Sequence, residues 1–322
     1  MKICGFVCAQ SAQMGVIMAV TFRNYIAGSR YGEDYNRLRR FYLELEAINY
    51  PFGRWDWMIS HTYLNEEGLS KIGMWFDNDI IVGVSTYDTM LDGKCFFVLK
   101  TGYEFLQQEM ITYAENNLAN DGKVQLLIGD CDTSFQKAVE EMGYVATQNK
   151  DCDAVFDIDV NKIQYSLPEG FSITSMKDSY DLFQYGKVLW KGFNHELNGE
   201  GVFAPTAEML EMCRREFERP NINLELKIAV VAPDGNFASY CGMWQDGASQ
   251  NALVEPVATD PAYRKMGLGR AAVLEAVRRC GLLGAKRAYV DSSQQFYYNI
   301  GFRPCITSTF WERKTVPNNS KS

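Results

Sequence analysis

Histidine is nearly absent from this chain. His61 and His195 are its two imidazoles, and neither stands at ligand spacing to another metal-binding side chain, so a dedicated zinc or iron site has little support and no metal is expected. The nine cysteines form an odd set with no Cys-x-x-Cys and no paired spacing beyond Cys4 and Cys8. Free thiols in a reducing cytoplasm fit them better than a disulfide framework. A basic excess is lacking too. Lys and Arg number 32 against 40 Asp and Glu, a net charge of −8, and they are scattered, which argues against nucleic acid as a partner. The acidity suits a cationic substrate, although solubility alone accounts for it. No apolar run beyond the N-terminus is long enough to cross a bilayer. The first residues, "MKICGFVCAQSAQMGVIMAV", resemble a signal peptide faintly, but Gln10, Ser11 and Gln13 interrupt the apolar stretch and no clear cleavage site follows. A translation start near Met14 or Met18 is the expectation, because "MAVTFRNY" already reads as a first strand.

What is present is a globular composition, 47% hydrophobic and free of low-complexity tracts. A length of 322 residues favours two domains of about 150 residues each over one core. The tail "KTVPNNSKS" is expected to fray.

Periodicity and turn residues give the second half a clear order. Two amphipathic helices, "SYDLFQYGKVLWKGF" and "TAEMLEMCRREFE", precede three strands, "KIAVVAPDG", "NFASYCGMWQDG" and "NALVEPVA", joined by tight turns into an antiparallel meander. A Gly-containing loop, a helix over about 268–283, the strand "KRAYVDS", a short helix around "QQFYYNIG" and the strand "FRPCITSTFWER" complete it. The first half follows the same order: "KIGMWFDNDIIVGVSTYD" and "KCFFVLK", then "GYEFLQQEMITYAENNLA", "KVQLLIGD", "SFQKAVEEMG" and "YVATQ". Two copies of one α/β unit in tandem, 1–160 and 161–322 with the join near 157–170, is the simplest account.

The halves differ at the strand-to-helix junction. In the second, "ATDPAYRKMGLGRAAV" places Arg264, Lys265, Met266, Gly267, Leu268, Gly269 and Arg270 before a helix. A helix N-terminus offers unpaired N–H groups and the positive end of a dipole, and glycines let backbone approach a ligand, so this is an anion cradle suited to a pyrophosphate. The side chains of Arg264 and Arg270 can add charge-assisted contacts. Neither a dinucleotide fingerprint nor a Walker loop is present; the plainer alternative is a tight connection whose glycines only permit packing. The first half reads "VLKTGYEFLQQE" here, without Arg-x-x-Gly-x-Gly, and is expected not to bind.

This loop after a meander strand, followed by "FYYNIGF", resembles the GNAT superfamily of N-acetyltransferases, with its [Q/R]-x-x-G-x-[G/A] signature and later Tyr-x-x-Φ-Gly-Phe motif. The resemblance is close over 224–312, and the first half resembles a degenerate second GNAT unit. It implies an α/β fold of two tandem GNAT-like units, each a mixed, mostly antiparallel sheet flanked by helices. Acetyl-CoA is implied as donor, its pyrophosphate on the backbone of 264–270 and its pantetheine arm along Val257, Ala258 and Thr259.

Acetyl transfer to an amine needs a neutral amine, a stabilised oxyanion and a proton for the leaving thiolate. Tyr297 occupies the Tyr position of the family motif, and a phenol is well matched to a thiolate; the bland alternative is an ordinary half-buried aromatic. Glu255, in the strand leading to the loop, is the carboxylate to accept the amine's proton or to bind a cationic substrate. Alternation places it on one face with Val257, with a possible bulge at Pro256. A backbone N–H near Val257 is expected to meet the oxyanion, and Asp291 and Ser292 to border the acetyl site. "INYPFGRWDWMISH", residues 48–61, reads as a loop closing over the acceptor site or, more plainly, anchored by Trp55 and Trp57 on the first core. Trp190, Phe193, His195 and Glu196 stand where family members often contact the acceptor.

The expectation is therefore a cytoplasmic N-acetyltransferase, monomer or homodimer, moving acetyl from acetyl-CoA to a primary amine of a small molecule. The alternatives are a non-catalytic acetyl-CoA-binding regulatory module, another acyl-CoA donor, or a protein amine as acceptor.

Overall fold

The computed structural model describes residues 20–46 and 49–314. The expected start near Met14 or Met18 and the frayed tail lie outside the described residues. The first half contains β1 (Val20–Asn24), α1 (Glu33–Leu45), α2 (Phe52–Ser60), β2 (Gly73–Asp77), β3 (Ile80–Thr86), β4 (Lys94–Leu99), α3 (Gln107–Asn117), β5 (Gln125–Gly129), α4 (Thr133–Glu141) and β6 (Tyr144–Asp157). The second contains β7 (Ser172–Ser175), α5 (Leu182–Gly192), α6 (Ala207–Phe217), β8 (Lys227–Val231), β9 (Phe237–Trp244), β10 (Asn251–Thr259), α7 (Leu268–Leu282), β11 (Arg287–Asp291), α8 (Gln295–Ile300) and β12 (Arg303–Arg313). Strands and helices alternate in the same order twice.

Local chemistry sets these boundaries. Asp132, Asp181 and Thr206 accept backbone N–H bonds at the starts of α4, α5 and α6, where the first turn has no carbonyl partners. Pro233, Asp234 and Gly235 turn β8 into β9, with Gly235 at φ +83°.

All twelve strands form one sheet in the order β1-β2-β3-β4-β5-β12-β6-β11-β10-β9-β8-β7. Pairing is antiparallel except at β4–β5 and β10–β11. The halves exchange their last strands: β12 pairs with β5 through Ser308↔Gly129 to Trp311↔Leu126, and β6 pairs with β11 through Arg287↔Asp157 to Asp291↔Asp153. Each half's sheet is therefore closed by the other. Trp311 of β12 joins the core of the first half and Ala154 of β6 joins that of the second. The continuous sheet gives β6 a neighbour on each side, and it runs 14 residues, well past the "YVATQ" read from sequence.

Most of the segment expected to be a loop is helical: Phe52–Ser60 form α2, with Phe52, Trp55, Met58 and Ile59 buried on one side, a helical spacing that Pro51 and Gly53 obscured. Trp55 is in the first core. A Cβ on Gly53 would stand 2.8 Å from Leu253 Cβ and 3.2 Å from that of Trp244, so glycine lets α2 of the first half close onto β10 and β9 of the second. No helix among the described residues is long and apolar enough to cross a membrane.

Candidate active site

The chemistry gathers where β10 changes its neighbours. On one side β10 pairs with β9 as Val254↔Met243 and then Val257↔Cys241, three residues against two. The extra residue is a β-bulge. It overturns the expected alternation: Val257 pairs with Cys241 of the second-half core, whereas Glu255 and Pro256 both line a pocket on the opposite face. On its other side β10 pairs with β11 over Asn251, Ala252 and Leu253, while β10 itself continues to Thr259. The two parallel strands part there, leaving a wedge beside Glu255 to Thr259.

The wedge opens toward the start of α7. Gly267 is the N-cap at φ +83°, and no side chain caps the helix; Ala271 N–H donates to Gly267 O at 3.0 Å as the first helical bond. A Cβ at Gly267 would meet nothing within 4 Å. Glycine is needed here for its backbone conformation, and the space before the helix is open. Leu268 is buried, Met266 exposed, and Gly269 lies against Thr259 and Phe296. These features fit a diphosphate held by backbone N–H groups at a 15-residue helix. The two arginines are placed differently from each other. Arg264 turns back, its Nη2 donating to Gly192 O at 2.8 Å and Asn194 Oδ1 at 2.7 Å, and so ties the loop to the end of α5. Arg270 is exposed and makes one long contact to Gln164 O. Asp260, buried before the loop, accepts from Ala262 N–H and pairs with Lys191 at 2.6 Å.

Tyr297 of α8 is buried at 7% exposure against Phe296 and Phe302. Burial raises its pKa well above the ordinary phenol value, with Cys241 and Glu255 adding to the effect, so the phenol keeps its proton. Glu255 is raised above the ordinary carboxylate range by burial, partly offset by Arg54. Arg54 comes from α2 of the first half: its Nη1 stands 3.7 Å from Glu255 Oε2, its Nε donates to Asp88 Oδ2 at 3.0 Å, and its guanidinium lies 4.2 Å over the Trp57 ring. Arg54 belongs to the segment 48–61 expected over the acceptor site, but nothing in the sequence pairs it with Glu255 of β10.

The pocket that receives Glu255 lies between the halves and measures about 420 Å³, within the range usual for small ligands. Trp57, His61, Thr62 and Tyr63 line it from the first half, and Trp190 of α5 with Phe193 and His195 just after that helix from the second. Glu196 instead accepts from Phe203 N–H at 3.2 Å. Lys227 and Glu216 also face it and were not foreseen. Lys227 is buried, donates to Met243 O at 3.1 Å and lies 3.6 Å over the Trp244 ring; burial lowers its pKa to about 8.

A second, polar cavity sits along the exchanged strands, lined by Arg54, Asp88, Asp151, Asp153 and Asp291. Asp291 thus faces this seam. Burial and the neighbouring carboxylates raise Asp153 to about 7. Among the described residues no cluster of His, Cys, Asp and Glu has metal-site geometry.

The corresponding junction of the first half is built differently. β4 and β5 pair only at Lys94↔Gln125 and Cys95↔Leu126, but Glu104 accepts from Gly102 N–H at 3.0 Å.

Residues 193–302 match the family model of the acetyltransferase (GNAT) family. A glucosamine 6-phosphate N-acetyltransferase of Trypanosoma brucei brucei is 26% identical over 116 residues, 34% of this chain and 79% of that protein. Among solved structures, a tandem GNAT protein from the clavulanic acid biosynthesis pathway superposes with a TM-score of 0.60 at 12% identity, covering 93% of this chain and all of that one. A GNAT-family acetyltransferase from Colwellia psychrerythraea gives a TM-score of 0.55 at 12% identity over 92% of this chain and 99% of the other. These likenesses at low identity establish the tandem fold.

Proposed function

From a GNAT acetyltransferase chain of tandem architecture, we propose an N-acetyltransferase that moves acetyl from acetyl-CoA to a primary amine of a small molecule by direct attack. The observation that carries this reading is the β10 bulge, which sets Glu255 in the pocket between the halves while the same strand borders the wedge leading to α7.

Acetyl-CoA supplies the activated thioester. The uncapped start of α7 and the backbone of 264–270 would hold its diphosphate, and Val257, Ala258 and Thr259 its pantetheine arm. Glu255, with its raised proton affinity, takes a proton from the amine. Arg54 fixes that carboxylate and limits the rise. A backbone N–H near Val257 meets the oxyanion. Tyr297, held protonated, protonates the leaving sulfur. Seven cysteines among the described residues are unpaired, which supports a reducing cytoplasm.

The test is incubation with acetyl-CoA and a panel of primary amines, with thiol release and product mass read together. N-acetylated product lost in Glu255→Gln supports the reading. Acetyl-CoA binding without product on any amine would favour a regulatory module.

A further inference from the structure

The pocket between the halves is lined mainly by rings and aliphatic chains, among them Trp57, Tyr185, Trp190, Phe203, Phe217 and Trp244. Its charged groups and imidazoles are few, and all but one are engaged within the protein, while the hydroxyls of Tyr185 and Tyr240 also belong to its lining. Glu216 Oε2 accepts from Thr62 Oγ1 at 2.7 Å and from Thr62 N–H. Lys227 is held by Met243 O and the Trp244 ring. His195 bonds Glu200 at 2.8 Å and stacks on Trp190, and His61 Nδ1 accepts from Tyr63 N–H at 3.1 Å. Glu255 is the exception, held only by the longer ion pair with Arg54. Phe193, Tyr63 and Met209 line the same pocket and remain exposed in part, extending the apolar surface outward.

A sugar phosphate or a polyamine would strip water from several hydroxyls or charges here and recover few partners. A single ammonium on an apolar body loses much less. We propose, on the strength of the acetyltransferase reading, that the acceptor is a hydrophobic primary monoamine, arylalkyl or straight-chain. Its nitrogen is set at Glu255 and its body against Trp57, Trp190 and Trp244. In the transfer a nitrogen–carbon bond forms and the carbon–sulfur bond breaks. The ammonium gives up two protons, one through Glu255 to water and one replacing the proton that Tyr297 hands to sulfur.

The experiment measures kcat/KM of the full chain with acetyl-CoA across straight-chain amines from propyl to octyl, with phenethylamine, spermidine and glucosamine 6-phosphate alongside. Each methylene added inside the pocket is expected to raise kcat/KM roughly fourfold until the pocket is filled. Trp57→Ala is expected to raise KM for the longer amines about tenfold while leaving KM for acetyl-CoA unchanged, and Met209→Lys at the mouth, a milder change for folding, to flatten the chain-length slope. Faster transfer to spermidine or glucosamine 6-phosphate than to every hydrophobic amine would overturn the acceptor class and leave the acetyltransferase intact. Acetyl-CoA binding with transfer to no amine would overturn the acetyltransferase reading itself.

Discussion

Arg54 of the first half and Glu255 of the second stand 3.7 Å apart, Nη1 to Oε2, across the junction that the exchanged strands close. The half without the Arg-x-x-Gly-x-Gly loop thereby supplies a charge to the proposed active site. Burial raises Glu255 and Arg54 opposes the rise. Removing the arginine takes away the larger charge opposing burial, so Arg54→Met should move the acidic limb of kcat/KM to higher pH, by about one unit. Arg54→Lys should restore part of the shift, and Glu255→Gln should abolish the limb. A limb unmoved in Arg54→Met would mean that the arginine has a purely structural place.

Tyr297→Phe removes one hydroxyl from a packed ring. With the phenol as proton donor, kcat falls about a hundredfold or more while the dissociation constant of acetyl-CoA stays near the wild-type value. Unchanged kcat would reassign the ring to packing against Phe302.

Asp153 links pH to stability. Its carboxyl is raised to about 7 in the fold, against about 4 in an unfolded chain, so between those values the folded state binds more protons than the unfolded one. Its contribution is therefore most favourable below pH 4 and declines as pH rises toward 7. Asp153→Asn should gain Tm relative to wild type over that same window and stand several degrees higher at pH 8, since a carboxyl moved from about 4 to about 7 is worth up to about 4 kcal/mol. A Tm difference that does not vary with pH would contradict this.

The strand exchange bears on the two-unit proposal. Residues 161–322 expressed alone would leave β11 without β6 and β12 without β5, exposing strand edges that the intact chain covers. That fragment should aggregate or remain unfolded, and co-expression with residues 1–160 should recover soluble, acetyl-CoA-binding protein. Full activity of 161–322 alone would show that the exchange is dispensable.

The order of elements, the Gly267 loop and the positions of Glu255 and Tyr297 were legible because each rests on local signals: turns, periodicity and a short motif. The face on which Glu255 lies was not, since one inserted residue at β10 reverses the alternation that sequence implies. The length of β6 was hidden by its polar run "NKDCD", which becomes strand only because β11 and β12 flank it. The pairing of Arg54 with Glu255 and the place of Lys227 gave no signal, because their surroundings come from a segment more than a hundred residues away or from a neighbouring strand. Arg264 looked like a side-chain ligand for an anion, whereas its guanidinium serves the end of α5.

Calorimetric titration of acetyl-CoA into the full chain tests the central claim most directly, with Gly267→Glu, which puts a carboxylate at the open start of α7, measured beside it. One site per chain, abolished in Gly267→Glu, is the result expected if only the second half holds the donor. No binding to the wild type, or one site that persists in the variant, would contradict the account.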